Sequence, residues 1–304
     1  MERTIKKAVE LAFGTEARNI EPLGGGFYGR AFSVKIDTEP YTVVAKLYLF
    51  KSIAVREAEQ LRILKKHAVL KMPKVYKVLE VNKYPIEYDV LFMEHISGRN
   101  AGWVDVSALS EKSRASICES IIDNLLAYHQ VINADGFGDV TGDNCRATWQ
   151  EFYYPIACSV FEKAKNLHKA GQLSDLVISV FEKSLASFQS IFYIPITQAR
   201  LIHGDYNTWN VMLDENYETA IAVIDPYNCC YADSEYDLYQ LDNANGKEYG
   251  LLNRYKEKMT LSENFEAKRR FYELYSEVSH YHDAKVKPDV AAVEALAIKL
   301  NEML

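Results

Sequence analysis

The sequence predicts an α+β fold in which a small, strand-rich lobe precedes a larger, mostly helical lobe. Apolar and polar residues alternate in several short runs before residue 96, as in strands that bury one face. After residue 110, apolar residues recur every three or four positions over long stretches, as in amphipathic helices. The turn-rich segment SGRNAG, residues 97–102, separates the two patterns. We therefore predict lobes at residues 1–96 and 97–304.

The elements of each lobe follow from the same periodicities. A first helix is predicted because Ile5 and Val9 lie on one face, and a glycine-rich run then leads into a strand in which Phe32, Val34 and Ile36 alternate with polar residues. The remaining predicted elements of the first lobe are, in order, the strand YTVVAKLYLF, the helix IAVREAEQLRILKKH, and the strands MPKVYKVLEV and EYDVLFMEHI. The second lobe is predicted to be helical over KSRASICESIIDNLLAYHQVI, DLVISVFEKSLASFQSIF and most of residues 262–304.

Composition and charge limit the function. The chain contains no run of about eighteen apolar residues, so we expect no membrane span. Its five cysteines are odd in number and form no C-x-x-C pair, which favours reduced thiols in a cytoplasm over a disulfide framework or a zinc site. The net charge of −7 is unlike the basic surface of nucleic-acid-binding proteins. We therefore expect a cytoplasmic protein that binds small molecules and neither nucleic acids nor membranes.

The charge is unevenly distributed along the chain. Residues 1–98 carry 16 Lys and Arg against 12 Asp and Glu, a net charge of +4. Residues 99–304 carry 19 against 30, a net charge of −11. A basic front suits a polyanionic ligand and an acidic back suits a cationic one. An ordinary solvated surface explains the same numbers, and both explanations stay open.

A glycine-rich turn lies between two predicted strands. Gly24, Gly26 and Gly29 match G-x-G-x-x-G, and Gly25 adds a fourth glycine. A dinucleotide-binding fingerprint needs a helix directly after the glycines, and a strand follows here. A glycine turn between strands can instead fold over nucleotide phosphates, because its backbone amides approach anions without Cβ clashes. An ordinary flexible hairpin is the competing interpretation.

A lysine stands within the apolar strand VVAKLY. The ammonium of Lys46 needs an anion there, and phosphate oxygens or an orienting carboxylate can supply one. Glu57, on the following predicted helix, is the candidate carboxylate. The alternative is an edge lysine whose ammonium reaches solvent.

The segment LIHGDYNTWNVMLD places polar groups between two apolar runs. Asp205 and Asn210 stand in D-x-x-x-x-N spacing, and the apolar run AVID ends in Asp225 fifteen residues after Asn210. Phosphoryl transfer requires a carboxylate that orients the acceptor hydroxyl and accepts its proton, and oxygen ligands for Mg²⁺. We therefore predict Asp205 as the catalytic residue and Asn210 with Asp225 as the magnesium ligands.

These motifs resemble the kinase-like phosphotransferases, which include aminoglycoside phosphotransferases and choline kinases. HGDYNTWNV and VIDP match the small-molecule branch, and FMEHISG is similar to its hinge. The resemblance implies a bilobal protein-kinase-like fold with a small antiparallel-sheet N-lobe that binds ATP and a larger, mostly helical C-lobe that carries the catalytic loop, metal site and acceptor site. It also implies that Glu94 and Ile96 contact adenine through their backbones, with Met93 behind the base.

Within that group, the chain is most similar to the fructosamine (ketosamine) kinases. The similarity rests on LLAYHQVINADGFGD, TWQEFYYP, IDPYNCCYADSEYDLYQL and FYELYSEVSHYH. The family loop after H-G-D is usually Leu-Trp-x-Gly-Asn, and after I-D-P a small residue and Tyr-Gly are common; both stretches differ here. The departures flank the acceptor, so they leave the sugar-amine substrate open. The candidate acceptor-binding residues are Tyr206, Asn207, Trp209, Tyr231, Asp233 and Glu235.

Other activities stay open on the sequence. A choline, amino-alcohol or aminoglycoside kinase would use the same motifs, and a nucleotide-binding module without turnover would keep only part of them. A metallohydrolase built on His203, Asp205 and Asp225 leaves the glycine turn and Lys46 unexplained. We expect Asp237 to anchor the catalytic loop through backbone amides.

Overall fold

The computed structural model describes residues 1–140 and 144–304. The chain folds into two compact units. The first unit comprises Met1–Ile121 and Trp209–Tyr227, and the second comprises Ile122–Thr208 and Asn228–Leu304. The chain thus enters the second unit within a long helix and returns to the first for one short segment. The assignment of nucleotide binding to residues 1–96 and of catalysis to residues 97–304 stays a prediction.

The regular elements follow in chain order. The strands are β1 (Ala17–Gly25), β2 (Gly29–Ile36), β3 (Thr42–Tyr48), β4 (Val75–Leu79), β5 (Asp89–Glu94), β6 (Arg99–Asn100), β7 (Ile132–Asn133), β8 (Gly138–Asp139), β9 (Ala199–Leu201), β10 (Val211–Leu213), β11 (Ala220–Val223) and β12 (Cys230–Ala232). The α-helices are α1 (Glu2–Phe13), α2 (Ile53–Leu64), α3 (Glu111–His129), α4 (Trp149–Lys169), α5 (Asp175–Ala186), α6 (Phe188–Ile191), α7 (Gly246–Tyr249), α8 (Leu251–Lys258), α9 (Phe265–Ala284) and α10 (Val290–Asn301).

The first unit is built on a five-stranded antiparallel sheet with the strand order β1-β2-β3-β5-β4. The central strands β3 and β5 are buried along most of their length, which explains why they appear in the sequence as continuous apolar runs. Helix α1 packs Ile5 and Val9 into the same core and ends at Gly14, whose φ of 65° suits glycine at a helix C-terminus.

A smaller sheet in the first unit has the strand order β11-β10-β6. The predicted hinge segment enters this sheet at Gly98, where a Cβ atom would lie 2.4 Å from the carbonyl oxygen of Leu213. Gly98 also has a φ of 152°, so a side chain is excluded twice over. The glycine in this turn is therefore required by close backbone packing.

The second unit combines helices with a four-stranded sheet of order β7-β9-β12-β8. Its core is rich in aromatic side chains, among them Trp149, Tyr153 and Tyr272. Thr148 and Glu151 cap the start of α4 reciprocally, each side chain binding the other residue's backbone amide. A 3-10 helix over Ser234–Asp242 contacts the segment that contains Asp205, through a hydrogen bond from the amide of His203 to Asp237.

The α+β class is confirmed, with antiparallel sheets and long helices where the periodicities indicated them. The predicted C-terminal helical region forms two helices, α9 and α10. Lys285, with a left-handed φ of 56°, ends the first of them. Within the described residues, no helix is both long and apolar enough to cross a membrane.

Candidate active site

Lys46 lies between two carboxylates in the first unit. Its Nζ is 2.8 Å from Oε2 of Glu57 on α2 and makes a second ion pair with Asp225, just after β11. The Lys46 side chain is 12% exposed and that of Glu57 is 5% exposed, so the pair is shielded from water. Tyr48 donates a hydrogen bond of 2.7 Å to the same oxygen of Glu57. The structure therefore places Glu57 where it orients the lysine.

This arrangement keeps the lysine charged. Burial works to lower the pKa of Lys46, but the carboxylates of Asp225 and Glu57 outweigh burial and raise it above its usual range. The strand lysine thus presents a fixed positive charge beside Asp225, and the alternative of an ammonium that reaches solvent is not what the structure shows.

The glycine turn joins β1 to β2 and is held by hydrogen bonds and close packing. Arg30 donates hydrogen bonds to the carbonyl oxygens of Gly26 and Gly29, at 2.7 and 2.8 Å. A Cβ atom on Gly29 would lie 2.6 Å from the carbonyl oxygen of Leu47 on β3, so the turn approaches the lysine-bearing strand as closely as only glycine permits. A Cβ on Gly26 would meet nothing within 4 Å, which leaves the tip of the turn open.

Asn210 and Asp225 lie at the same end of the β10–β11 hairpin. Val211 pairs with Val223, and the amide of Ile224 donates to the carbonyl oxygen of Asn210 at 2.9 Å. Asn210 is 6% exposed, whereas the side chain of Asp225 is 47% exposed. Asp225 also has a φ of 56°, an unusual value for a residue other than glycine and one that is enriched at functional sites.

The donor set at this hairpin end fits Mg²⁺. Asn210 and Asp225 offer an amide oxygen and carboxylate oxygens, the hard ligands that Mg²⁺ prefers, and Mg²⁺ commonly takes its other ligands from water and nucleotide phosphates. Among residues 1–140 and 144–304 there is no group of three or more His, Cys, Asp or Glu that could hold a metal without such help. The two residues therefore suit a metal that arrives with a nucleotide.

The predicted hinge residues lie at the end of β5. Met93 is buried and pairs with Val44 and Val75 on the neighbouring strands. The amide of Glu94 donates to the carbonyl oxygen of Lys74 at 2.8 Å. Burial opposes the Glu94 charge, but hydrogen bonds from the Lys71 side chain and the Lys74 amide prevail and lower the pKa of the Glu94 carboxyl. Ile96 follows the strand and is half-buried.

In the second unit, the side chain of Asp237 binds the backbone of the segment that carries Asp205. Asp237 is fully buried and accepts hydrogen bonds from the backbone amides of His203, at 2.8 Å, and Gly204, at 2.7 Å. His129 approaches the same carboxylate at 3.4 Å and contacts the hydroxyl of Tyr255. The expected anchoring role of Asp237 is therefore what its contacts describe.

Asp205 differs from its neighbours in exposure. Within residues 201–208, it is the one residue that is not buried. Asn207 donates a hydrogen bond of 2.7 Å to Oδ1 of Asp205 and lies 3.4 Å from Oε1 of Gln240. Asn243 donates to that same oxygen of Gln240 at 2.6 Å. Asn207, predicted from the sequence as an acceptor-binding residue, is buried and donates to Asp205, and its acceptor role stays a prediction.

Two of the candidate acceptor-binding residues are buried and paired with a lysine. Asp233 and Glu235 are 3% and 8% exposed, and both form ion pairs with Lys268, at 2.8 and 2.7 Å. Asp233 also accepts from the hydroxyl of Tyr272, and Glu235 from the backbone and side chain of Ser262. Both carboxylates are therefore buried and share the cation of Lys268, and the prediction that they attract a cationic acceptor stays a prediction.

The other acceptor candidates lie in different surroundings. Tyr206 is buried and its hydroxyl accepts from Asn124 at 3.1 Å, so it is part of the core. Trp209 is 40% exposed and contacts Trp103 edge-on, with ring centroids 4.4 Å apart. Tyr231 is half-buried on β12. Trp209 and Tyr231 therefore keep the exposure that an acceptor contact requires.

Comparison with known proteins identifies the family. The family model described as the phosphotransferase enzyme family (APH) matches residues 19–252, which is more than half of the chain. The chain therefore belongs to the phosphotransferase enzyme family. This confirms the enzyme class predicted from the sequence, a small-molecule kinase.

Relatives and solved structures agree with that placement. YcbJ of Escherichia coli K12 is 23% identical over 243 residues, which cover 79% of this chain and 78% of that protein. The chloroplastic protein-ribulosamine 3-kinase of Oryza sativa is 24% identical over 290 residues, covering 88% and 75%. The aminoglycoside phosphotransferase APH(4)-Ia, solved with AMP-PNP and hygromycin B, superposes with a TM-score of 0.75 at 15% identity, covering 99% and 98%. The kinase-like fold is thereby confirmed.

Proposed function

We propose that this protein is an ATP- and Mg²⁺-dependent kinase that phosphorylates a hydroxyl group of a small metabolite, with a ketosamine-type sugar amine as the leading acceptor. The observation that carries the proposal is the pairing of Lys46 with Glu57 and Asp225, on a strand that the glycine turn approaches closely at Gly29. A fixed ammonium beside a metal-type carboxylate suits the phosphates of a bound nucleotide. The AMP-PNP complex of APH(4)-Ia supports ATP as the donor.

The first unit supplies the groups for nucleotide binding. The turn at Gly24, Gly25, Gly26 and Gly29 would cover the phosphates, and Lys46 would contact them. Glu94 and Ile96 would bind adenine through their backbones, with Met93 behind the base. Asn210 and Asp225 would hold Mg²⁺, which when bound supplies positive charge to the phosphate oxygens.

Asp205 is the proposed catalytic residue. Its carboxylate accepts the proton of the acceptor hydroxyl while the hydroxyl oxygen forms a bond to the γ-phosphorus and the bond from that phosphorus to the β-phosphate oxygen breaks. The products are ADP and a phosphorylated acceptor. Asn207 keeps the Asp205 side chain oriented, and Asp237 keeps the backbone of its loop in place.

The acceptor class rests on similarity to the rice ribulosamine kinase and on the sequence stretches shared with ketosamine kinases. A choline, amino-alcohol or aminoglycoside acceptor is the alternative within the same chemistry. A nucleotide-binding module without turnover is disfavoured, because Lys46, Asp205, Asn210 and Asp225 are all present.

A direct test is ADP release by the purified protein with Mg·ATP and a panel of acceptors: a ketosamine such as fructosyl-lysine, the parent sugar fructose, choline and an aminoglycoside. We expect the ketosamine to stimulate ADP release far above the acceptor-free rate, and fructose to do so less. Stimulation by choline or the aminoglycoside alone would replace the acceptor class and keep the kinase. No stimulation by any hydroxyl acceptor, with intact nucleotide binding, would favour the module without turnover.

A further inference from the structure

An aromatic stack connects the glycine turn to the segment after Asp225. The rings of Tyr28 and Tyr227 are 4.9 Å apart with an interplanar angle of 13°, which is a stacked arrangement. Tyr28 is the last residue of the turn before Gly29, and Tyr227 lies two residues after Asp225. The guanidinium of Arg56 lies 5.1 Å from the centre of the Tyr227 ring. All three side chains belong to the first unit.

The stack is attached to rigid elements on both sides. The backbone carbonyl of Tyr28 accepts from the amide of Leu49, just after β3, at 2.9 Å, and its ring meets Phe50 edge-on at 6.0 Å. Arg56 precedes Glu57 on α2, so the helix that orients Lys46 also carries the cation on Tyr227. The stack therefore joins three elements of the first unit: the turn, α2, which carries Glu57, and the segment after β11, which carries Asp225.

We propose that Tyr28 and Tyr227, with Arg56 on the outer ring, form a clasp that positions the glycine turn for the phosphates of the nucleotide. The inference rests on the proposed function, since it assigns the turn and Asp225 to phosphate and metal binding. Tyr28 and Tyr227 are positioning residues: they act through the backbone of the turn. If the clasp holds the glycine turn in place, the turn is not the ordinary flexible hairpin that the sequence left as an alternative.

The stacking contact between Tyr28 and Tyr227 is made by their aromatic rings. Offset-stacked aromatic pairs and cations on aromatic faces each contribute a modest, measurable stabilisation. Loss of the stack should therefore weaken binding of a phosphate-bearing ligand by about threefold to tenfold. A ligand that has adenine but no phosphates should be unaffected, because the proposed adenine contacts at Glu94 and Ile96 are on β5 and the residues after it.

The test compares nucleotide affinity in variants of the whole protein. Mg·ADP, AMP-PNP with Mg²⁺, and adenosine are titrated calorimetrically into wild type, Tyr227→Phe, Tyr227→Ala, Tyr28→Ala and the double alanine variant. Tyr41→Ala is the matched control, because Tyr41 is 63% exposed in the β2–β3 turn at the far end of the hairpin. We expect each alanine variant and the double variant to show the same loss for Mg·ADP and AMP-PNP, because two residues that act as one pair are not additive.

We also expect Tyr227→Phe and Tyr41→Ala to stay within about twofold of wild type, and the affinity for adenosine to be unchanged in every variant. Unchanged Mg·ADP affinity in Tyr227→Ala, additive losses in the double variant, or an equal loss for adenosine would overturn the clasp.

Hydrogen exchange separates failure of the clasp from failure of the proposed function. In the ligand-free protein, amides of residues 24–29 should exchange faster in Tyr227→Ala than in wild type or Tyr227→Phe. Equal exchange in all three proteins would overturn the clasp even if nucleotides bind. A wild-type protein that binds no nucleotide would overturn the proposed function, and the exchange measurement would then decide on the clasp by itself.

Discussion

The side-chain amide of Asn207 donates a hydrogen bond of 2.7 Å to the carboxylate of Asp205. Asn207 is itself buried and lies within reach of Gln240, which accepts from Asn243 at 2.6 Å. A carboxylate that must meet an acceptor hydroxyl gains from such support, because catalytic geometry tolerates little displacement. The hydrogen-bonded side-chain amides of Asn207, Gln240 and Asn243 thus explain how a half-exposed Asp205 keeps one orientation.

Replacing Asn207 by alanine should lower kcat by about 10- to 100-fold, because supporting residues of this kind typically contribute that much. The KM for ATP should change less than kcat, since the hydrogen bond of Asn207 supports Asp205, the proposed catalytic residue. Steady-state kinetics at saturating Mg·ATP measure both quantities. Asn82→Ala, in an exposed turn, is the control. A variant with wild-type kcat would remove the orienting role.

The two proposed metal ligands, Asp225 and Asn210, should contribute unequally to Mg²⁺-dependent ADP binding. Asp225→Ala should abolish the enhancement of ADP binding by Mg²⁺, whereas Asn210→Ala should only reduce it, because a carboxylate is the stronger ligand for a hard cation. Titration of ADP with and without Mg²⁺ separates the metal effect from the loss of the Lys46 ion pair. Glu215→Ala, an exposed change on the same hairpin, is the control. Equal losses in Asn210→Ala and Asp225→Ala would contradict the assignment.

Lys268 should matter for stability. Its side chain is 3% exposed and pairs with both Asp233 and Glu235, so Lys268→Met would leave two buried carboxylates without their cation. Removing one partner of a buried ion pair typically costs about 3–5 kcal/mol. Urea unfolding measures the loss, and Lys6→Met, which breaks an exposed helical pair with Glu2, should have little effect. A fully stable Lys268→Met protein would contradict a structural role for the ion pairs of Lys268 with Asp233 and Glu235.

His280 should make the protein sensitive to mild acid. Burial lowers the pKa of His280 from 6.5 to about 4 in the folded protein. Between these two values the unfolded chain binds a proton that the folded chain does not, so stability should fall as the pH falls from 6.5 towards 4. Above that window His280 is neutral in both states and contributes no slope. Urea unfolding across this range should show a shallower pH dependence for His280→Leu, and identical slopes would contradict the buried-neutral state.

Periodicity and local chemistry were enough to predict much of the structure. The apolar runs of β3 and β5 mark central strands, and the need of Lys46 for an anion pointed to Glu57 one helix later. The burial of Asp233 and Glu235 was not predicted, because an acidic pair in the sequence shows nothing of its counter-ion. Lys268 reaches them from α9, a partner that only the folded chain brings near.

Contacts between distant segments were likewise hidden. Tyr28 and Tyr227 stand in unrelated stretches of sequence, and no periodicity links a turn residue to a residue after β11. The burial of Tyr206 and Asn207 was also missed, because the 3-10 helix over Ser234–Asp242 that underlies them has no long apolar repeat. The exposure of Asp205 and the burial of its neighbours arise only when the loop folds, so the sequence alone does not show them.

The most direct test of the proposed kinase is the Asp205→Asn variant, compared with wild type and with Asp175→Asn, a change at a side chain that is 99% exposed. The amide keeps the shape of the carboxylate but cannot take up a proton, and a general base typically contributes about 10²- to 10⁴-fold. The measurement is acceptor-dependent ADP release at saturating Mg·ATP, with ADP affinity determined alongside. We predict that Asp205→Asn lowers kcat by at least about 100-fold with near-normal ADP affinity, while Asp175→Asn matches wild type. An Asp205→Asn protein that keeps more than about a tenth of wild-type turnover would contradict the assignment of Asp205 as the catalytic residue.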